Sequence, residues 1–431
     1  MSSDRSTKSQ TFALLIVGVL FFIFGFVTWL NSVLIPFLRT ACELSNTEAF
    51  FVATAFYIAY FVMAIPVSFI LKKFGFVNSM SLGLFIMMIG TLIFIPAAYM
   101  REYWIFLVGL FVQGTGLTML QTAVNPYVAL LGPVESAAKR ISIMGIANKL
   151  AGAMSGIILG SVLLTKSDKV IAEELSLLDA AAQALYLDDM AQKVIFPYII
   201  MAIALVFLAF MVRFARLPEI KSDEPDQKFS LRGLPAFVWL GFIAIFFYVG
   251  AEVISADSII NYGRSLNLAP YLISISGLEI NLLNPNYFTF YVMSGMILGY
   301  FIGIILIPRI ISQDKALRYF AISALGFTTC ALLFNGTASL VFIILLGISN
   351  SVMWPAIWPL SIEGAGSKTP VVSALLIMGI IGGAIMSPVY GWLTDLTNNQ
   401  TAYIILIPCY LFVLFFAIAG HKIGKQPHVS K

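Results

Sequence analysis

The sequence predicts an all-α membrane protein of twelve spans, built as two pseudo-symmetric six-helix halves with both termini on the cytoplasmic side. Three observations predict it. Of 431 residues, 60% are apolar and 11% charged, against about 25% charged in an ordinary soluble domain; such a chain cannot dress a water-facing surface of normal size. The apolar residues also arrive in blocks of roughly 20 to 25, each long enough to cross a hydrocarbon core about 30 Å thick. Finally, Lys and Arg are unevenly shared between alternate loops, as expected when cytoplasmic loops retain positive charge. A membrane β-barrel would need alternating segments of about 10 residues, and residues 202–210 form a continuous apolar run instead.

Taken in order, the first six spans fall near 12–37, 48–71, 77–99, 103–128, 140–165 and 194–217. The second six fall near 234–262, 286–310, 316–334, 338–361, 369–393 and 401–420. The first block is too long for the apolar region of a secretory signal and lacks a small-residue cleavage site, so it reads as a span. With the N-terminus inside, eighteen of the 25 Lys and Arg lie on the cytoplasmic side and six on the far side, with Lys149 inside a span. Omitting one span would scramble that threefold bias.

Lys221, Asp223, Glu224, Asp226 and Lys228 crowd the most polar connector. It divides an N-terminal half, 1–217, from a C-terminal half, 234–431, with 218–233 as a cytoplasmic linker. Ile143-Met-Gly-Ile146 in the fifth span recurs as Ile377-Met-Gly-Ile380 in the eleventh, the fifth of its half. Parallel halves related about the membrane normal are a transporter design. Gly145, Gly152, Gly156 and Gly160, then Gly379, Gly382 and Gly383, are expected to let helices pack closely. The polar stretch 164–193 on the far side is expected to carry one short surface helix near 180–187.

Charge inside a span is costly unless paired or wetted, which makes each such residue a functional candidate. Lys149, Glu252 and Asp257 qualify. Glu252 and Asp257 are five apart, about 140° around a helix, and should face different neighbours. Lys149 and Glu252 have opposite signs and suit a salt bridge between halves; the plain alternatives are a static structural pair or a Lys149 that snorkels to the headgroups. Asp257, nearer the outer end, has two readings: contact with solvent, or a buried ion-coupling role. Glu252, Asp257 and Ser32 are the ion-coupling candidates.

Asn31, Gln121, Asn125, Asn148, Asn261 and Asn350 place amides within spans. Amides both donate and accept, which suits an array of sugar hydroxyls, whereas an apolar cargo would leave them unsatisfied. Trp354 and Trp358, four apart, share one helix face and offer surfaces for a pyranose ring; the alternative is that they face lipid. Pro126, Pro355 and Pro359 are expected to interrupt the fourth and tenth spans.

These residues carry a resemblance. Gly114-Thr-Gly-Leu-Thr-Met-Leu-Gln121-Thr-Ala-Val-Asn125-Pro-Tyr127, followed by Leu131-Gly-Pro-Val-Glu-Ser136, resembles the fourth-span signature of the fucose-proton symporter family of the major facilitator superfamily. Tyr248-Val-Gly-Ala-Glu252-Val253 and Asn350-Ser-Val-Met-Trp354-Pro-Ala-Ile-Trp358-Pro359 are similar to its glucose/galactose permease branch. The resemblance implies a major facilitator fold and a cation-coupled hexose symporter working by alternating access. In the fucose symporters, carboxylates of the first and fourth spans carry proton coupling; Ser32 and Gln121 stand at the matching positions, and neither titrates. The facilitator signature between spans two and three is reduced to Lys72-Lys-Phe-Gly75.

The function expected is import of a glucose- or galactose-like hexose or an N-acetylhexosamine, with a proton or a sodium ion, by a monomer in a bacterial inner membrane. The alternatives are an uncoupled facilitator or exporter, or a non-transporting sugar sensor. An enzyme is not expected, since the only histidines, His421 and His428, lie in the terminal tail. No metal site, cofactor or nucleic-acid partner is expected either, as no Cys/His cluster or basic stripe occurs.

Overall fold

The computed structural model describes residues 2–130, 137–215, 217, 233–275, 278–307, 310–363 and 369–424. Side chains at 2–11, 72, 125, 126, 129, 130, 137–142, 275, 278, 280, 369, 370, 373 and 374 lie outside that description. Among the described residues, twelve helices are long and apolar enough to cross a membrane. The first six are Phe12–Ala41, Asn46–Leu71, Lys73–Met100, Tyr103–Val124, Ile143–Ser176 and Ala180–Phe214. The second six are Ala236–Asp257, Pro285–Leu306, Gln313–Leu333, Gly336–Ile362, Leu375–Leu396 and Thr401–Ile418. Each overlaps one apolar block of the sequence. The linker expected at 218–233 falls outside the described residues except for Gly233.

Local chemistry sets several boundaries. Ser45 starts the second span with a capping box: its Oγ accepts from the Glu48 amide at 3.2 Å while Glu48 Oε2 accepts from the Ser45 amide at 2.9 Å. The second and third spans are separated only by a break at Gly75, where φ is 75°.

The halves repeat one packing device. In the first half, the first span passes so close to the fifth that a Cβ on Gly25 would lie 2.0 Å from the Asn148 carbonyl oxygen. In the second half, a Cβ on Gly382 of the eleventh span would lie 1.8 Å from the Phe246 carbonyl oxygen of the seventh. First and fifth helices thus meet backbone to backbone in both halves, which only glycine permits. Gly156 and Gly160 face Thr289 and Asn286 of the eighth span, joining the halves, whereas Gly145 meets open space and has no packing role of that kind.

The breaks fall elsewhere than the prolines predicted. The fourth span is helical without interruption over Tyr103–Leu130, through Pro126. The tenth breaks at Val352, ahead of Pro355, between Gly336–Ser351 and Met353–Ile362. Pro355 occupies the first turn of the second segment, where no intrahelical donor is lost. The first and seventh spans also break. Helix Ser2–Thr28 gives way to Asn31–Ala41, and Ala236–Asp257 to Ile259–Ser265.

At the end opposite the termini, the fifth–sixth connection forms two helices, Asp168–Ser176 and Ala180–Gln192, where one was expected. A two-stranded antiparallel hairpin pairs Leu272–Ile275 with Leu278–Asn281 on the same face. The sequence gives no sign of it, because two four-residue strands carry too little alternation to stand out from a loop.

Candidate functional site

The breaks in the first and seventh spans, equivalent helices of the two halves, bring chemistry-bearing residues to the plane between them. Lys149 Nζ lies 2.9 Å from Glu252 Oε1, with side-chain exposures of 8% and 12%. The same ammonium sits 4.2 Å from the centroid of the Trp29 ring. One cation is therefore held by a carboxylate of the seventh span and an aromatic face of the first. Desolvating either charge costs several kcal/mol, so the pair and the ring keep Lys149 from snorkelling. The Tyr248, Tyr300 and Tyr410 hydroxyls lie within electrostatic range of Glu252.

Beside this pair runs an aromatic wall. Trp354 and Trp358 have centroids 5.5 Å apart with planes inclined by 30°, and Trp354 lies 6.4 Å from Tyr248. Both tryptophans are half-buried and packed against the core, not laid on the outer surface. Gln121 is half-buried beside the Tyr60 hydroxyl. Asn148 is 8% exposed with an unpartnered Nδ2, and both amide atoms of Asn31 are unpartnered. The Asn125 side chain lies outside the described residues.

Other predicted residues have different surroundings. Asn350 is used at both ends: its Nδ2 donates to Ser255 Oγ at 3.0 Å, and its Oδ1 accepts from the Tyr410 hydroxyl at 2.9 Å. Ser32 is fully buried and donates to the Trp29 carbonyl at 2.8 Å, bracing the break of the first span. Asn261 lies at the far end, where its Nδ2 donates to Asn399 Oδ1 at 3.0 Å. Of the two readings of Asp257, the structure removes solvent contact: the residue is 0% exposed. The helix that follows, Ile259–Ser265, is itself buried from Ile259 to Arg264, so the chain beyond Asp257 stays inside the protein.

The far end is closed by a polar network between the halves. Arg39, from the first span, reaches Asp168 Oδ2 at 2.7 Å. Arg264, after the seventh, binds the other oxygen of the same carboxylate and donates to the Lys166 carbonyl at 2.8 Å. Asp395 of the eleventh span accepts from the amides of Asn46 and Thr47 at 3.0 and 2.8 Å, at the start of the second span.

Sequence reasoning missed Trp29 and this network. Trp29 was accessible to it, two residues before Asn31 in the same span. The network was not, since Arg39, Asp168 and Arg264 are scattered loop-end charges until the helices assemble.

Polar and ionic groups kept at depth between two helical halves that close at one end define a solute carrier, and that is the class of this protein. The chain belongs to the Major Facilitator Superfamily, whose family model matches residues 17–379. It is 32% identical over 424 residues to the glucose/galactose transporter of Brucella abortus, covering 98% of this chain and 97% of that one. It is 30% identical to the L-fucose-proton symporter of Escherichia coli over 92% of this chain and 90% of that one. The crystal structure of that symporter in the outward conformation superposes with a TM-score of 0.70 at 27% identity, covering 95% of this chain and 98% of the other.

Proposed function

We propose that the chain imports a hexose of the glucose or galactose class, or an N-acetylhexosamine, together with a proton or sodium ion by alternating access. The single observation that carries the reading is the inter-half ion pair of Lys149 and Glu252, flanked by Trp29 on one side and by Tyr248, Trp354 and Trp358 on the other. A neutral ring bearing many hydroxyls can stack on the aromatic wall while its hydroxyls take hydrogen bonds from Lys149, Asn148 and Gln121 and give them to Glu252. An apolar cargo would strand those groups. The similarity to transporters named for glucose, galactose and fucose supports the same reading.

In this account residues 1–217 and 234–431 are the two moving halves, joined by a cytoplasmic linker at 218–233. Both termini are cytoplasmic, the closed far end faces the periplasm of a bacterial inner membrane, and the carrier works as a monomer. The excess of Lys and Arg on the side of the termini supports that orientation.

Uptake of radiolabelled glucose, galactose, fucose and N-acetylglucosamine into proteoliposomes tests the proposal, with imposed proton or sodium gradients as separate arms. Accumulation of at least one sugar driven by one gradient is expected. Uptake that both gradients leave unchanged selects a facilitator, and binding without uptake selects a sensor.

A further inference from the structure

We propose that Asp257, together with Asn31 and Tyr57, is the seat of the coupling cation. The inference rests on the sugar–cation symport reading above, and assigns to one residue the step that reading leaves open.

Two buried carboxylates lie on the seventh span, and their circumstances differ. Glu252 is already compensated by Lys149 at 2.9 Å. Asp257 is 0% exposed, and neither of its oxygens has a hydrogen-bond partner among the described residues. The titratable and charged groups that face it are Glu252 on its own helix and Tyr57 on the second span. Glu252 has the same sign and Tyr57 is neutral, so among the described residues no fixed positive charge answers Asp257. An isolated carboxylate in such a place is untenable in its charged form. It must carry a proton or hold a cation, and release of that ion re-creates the unfavourable charge.

The surroundings indicate a built site. Asn31 of the first span lies beside the Asp257 carboxylate without closing a hydrogen bond to it; it is 1% exposed, and its Oδ1 and Nδ2 are both unpartnered. The Tyr57 hydroxyl is unpartnered in a residue 3% exposed. Three buried polar side chains, from the first, second and seventh spans, thus leave polar atoms unpartnered, and both Asn31 and Tyr57 interact with the one carboxylate of Asp257. Asn31 and Asp257 also flank the helix breaks of equivalent spans in the two halves. Interrupted helices are where many carriers hold a coupling ion, since the break frees backbone carbonyls and helix ends to coordinate it, and here a carboxylate and an amide stand beside two such breaks. Because Asn31 and Tyr57 belong to one half and Asp257 to the other, an ion here joins the halves. Closing them over the sugar then depends on the ion, which is the requirement for symport.

The decisive comparison is wild type against Asp257→Asn in proteoliposomes, measuring gradient-driven accumulation and sugar counterflow. Sodium chloride replaced by choline chloride forms one arm, and an inside-alkaline pH gradient without sodium forms the other. The isosteric amide needs no neutralising ion, so the variant should lose accumulation by about tenfold or more while counterflow stays within about threefold. Dependence on sodium identifies a metal cation, and dependence on the pH gradient a proton; each supports the seat. Accumulation by Asp257→Asn equal to wild type overturns the inference and leaves the sugar-transport reading standing. A wild type indifferent to both gradients removes coupling and this inference with it, and a wild type that moves no sugar defeats the parent reading. Should Asp257→Asn fail to fold, Tyr57→Phe decides. It is expected to weaken the driving cation's half-saturation by about threefold or more, and an unchanged value overturns the proposal.

Discussion

Asp168 accepts from two arginines at once, Arg39 at the end of the first span and Arg264 at the end of the seventh. These are the equivalent helices of the two halves, so one carboxylate on the fifth–sixth connection ties both together at the far end. Asp168→Asn keeps the shape and removes the charge, and charge-assisted hydrogen bonds are worth about 1.5–3 kcal/mol each. Only the Arg264 contact crosses between the halves, so the far end should open more often, shifting the equilibrium by about 10- to 150-fold. Labelling of a cysteine placed at Asn261 by a membrane-impermeant thiol reagent should rise in the Asp168→Asn background. Unchanged labelling would mean that Asp395 and its partners hold the closure without Asp168.

Lys149 and Glu252 should behave as a unit. Removing one member of a buried pair costs about 3–5 kcal/mol, whereas replacing both with apolar residues of similar volume is often neutral. Lys149→Met alone should lower the unfolding temperature in detergent, and Lys149→Met with Glu252→Met should recover most of the loss. Sugar counterflow should stay lost in the double variant. Restored transport would show the pair to be structural only.

The aromatic wall predicts an affinity effect. Trp354→Ala and Trp358→Ala each remove a stacking face worth about 0.5–1.5 kcal/mol, so the half-saturating sugar concentration should rise about two- to tenfold. A maximal rate that falls at constant affinity would argue that the rings shape helix packing and do not touch sugar.

Asn350 offers the converse test. Its amide closes bonds to Ser255 and Tyr410, and stranding buried partners costs about 1–3 kcal/mol. Asn350→Ala is expected to reduce thermal stability and leave sugar affinity unchanged. A change of affinity at constant stability would return Asn350 to the sugar contacts.

Gly25→Ala and Gly382→Ala test the backbone approach shared by the halves. With carbonyl oxygens 2.0 and 1.8 Å from the added Cβ, the helices must separate, and overpacking of this kind costs about 1–3 kcal/mol. Both unfolding temperatures should drop by similar amounts, reflecting the symmetry. Gly145→Ala, in open space, serves as the control and should change little.

The reach of the sequence follows from what each pattern encodes. Apolar blocks and loop charge are local, one-dimensional properties imposed by the bilayer, so the twelve spans and their division into halves can be read directly. Charge inside a span is equally local in its cost, which is why Lys149, Glu252 and Asp257 stand out in the sequence. Their partners do not. Asn350 and Asn148 look alike in sequence, yet one is saturated by Ser255 and Tyr410 while the other keeps an open Nδ2. The prolines mislead as well, because a proline in the first turn of a helix loses no donor and a break depends on what neighbouring helices supply. How many times the chain crosses, and which residues must not be left unpaired at depth, are thus written in the order of its amino acids. Which of those residues find partners is a property of the assembled helices. Assembly gives Lys149 to Glu252 and both Arg39 and Arg264 to Asp168, and among the described residues it leaves Asp257 with no fixed counter-charge. Partnership depends on how separate helices are juxtaposed, and no local pattern records that.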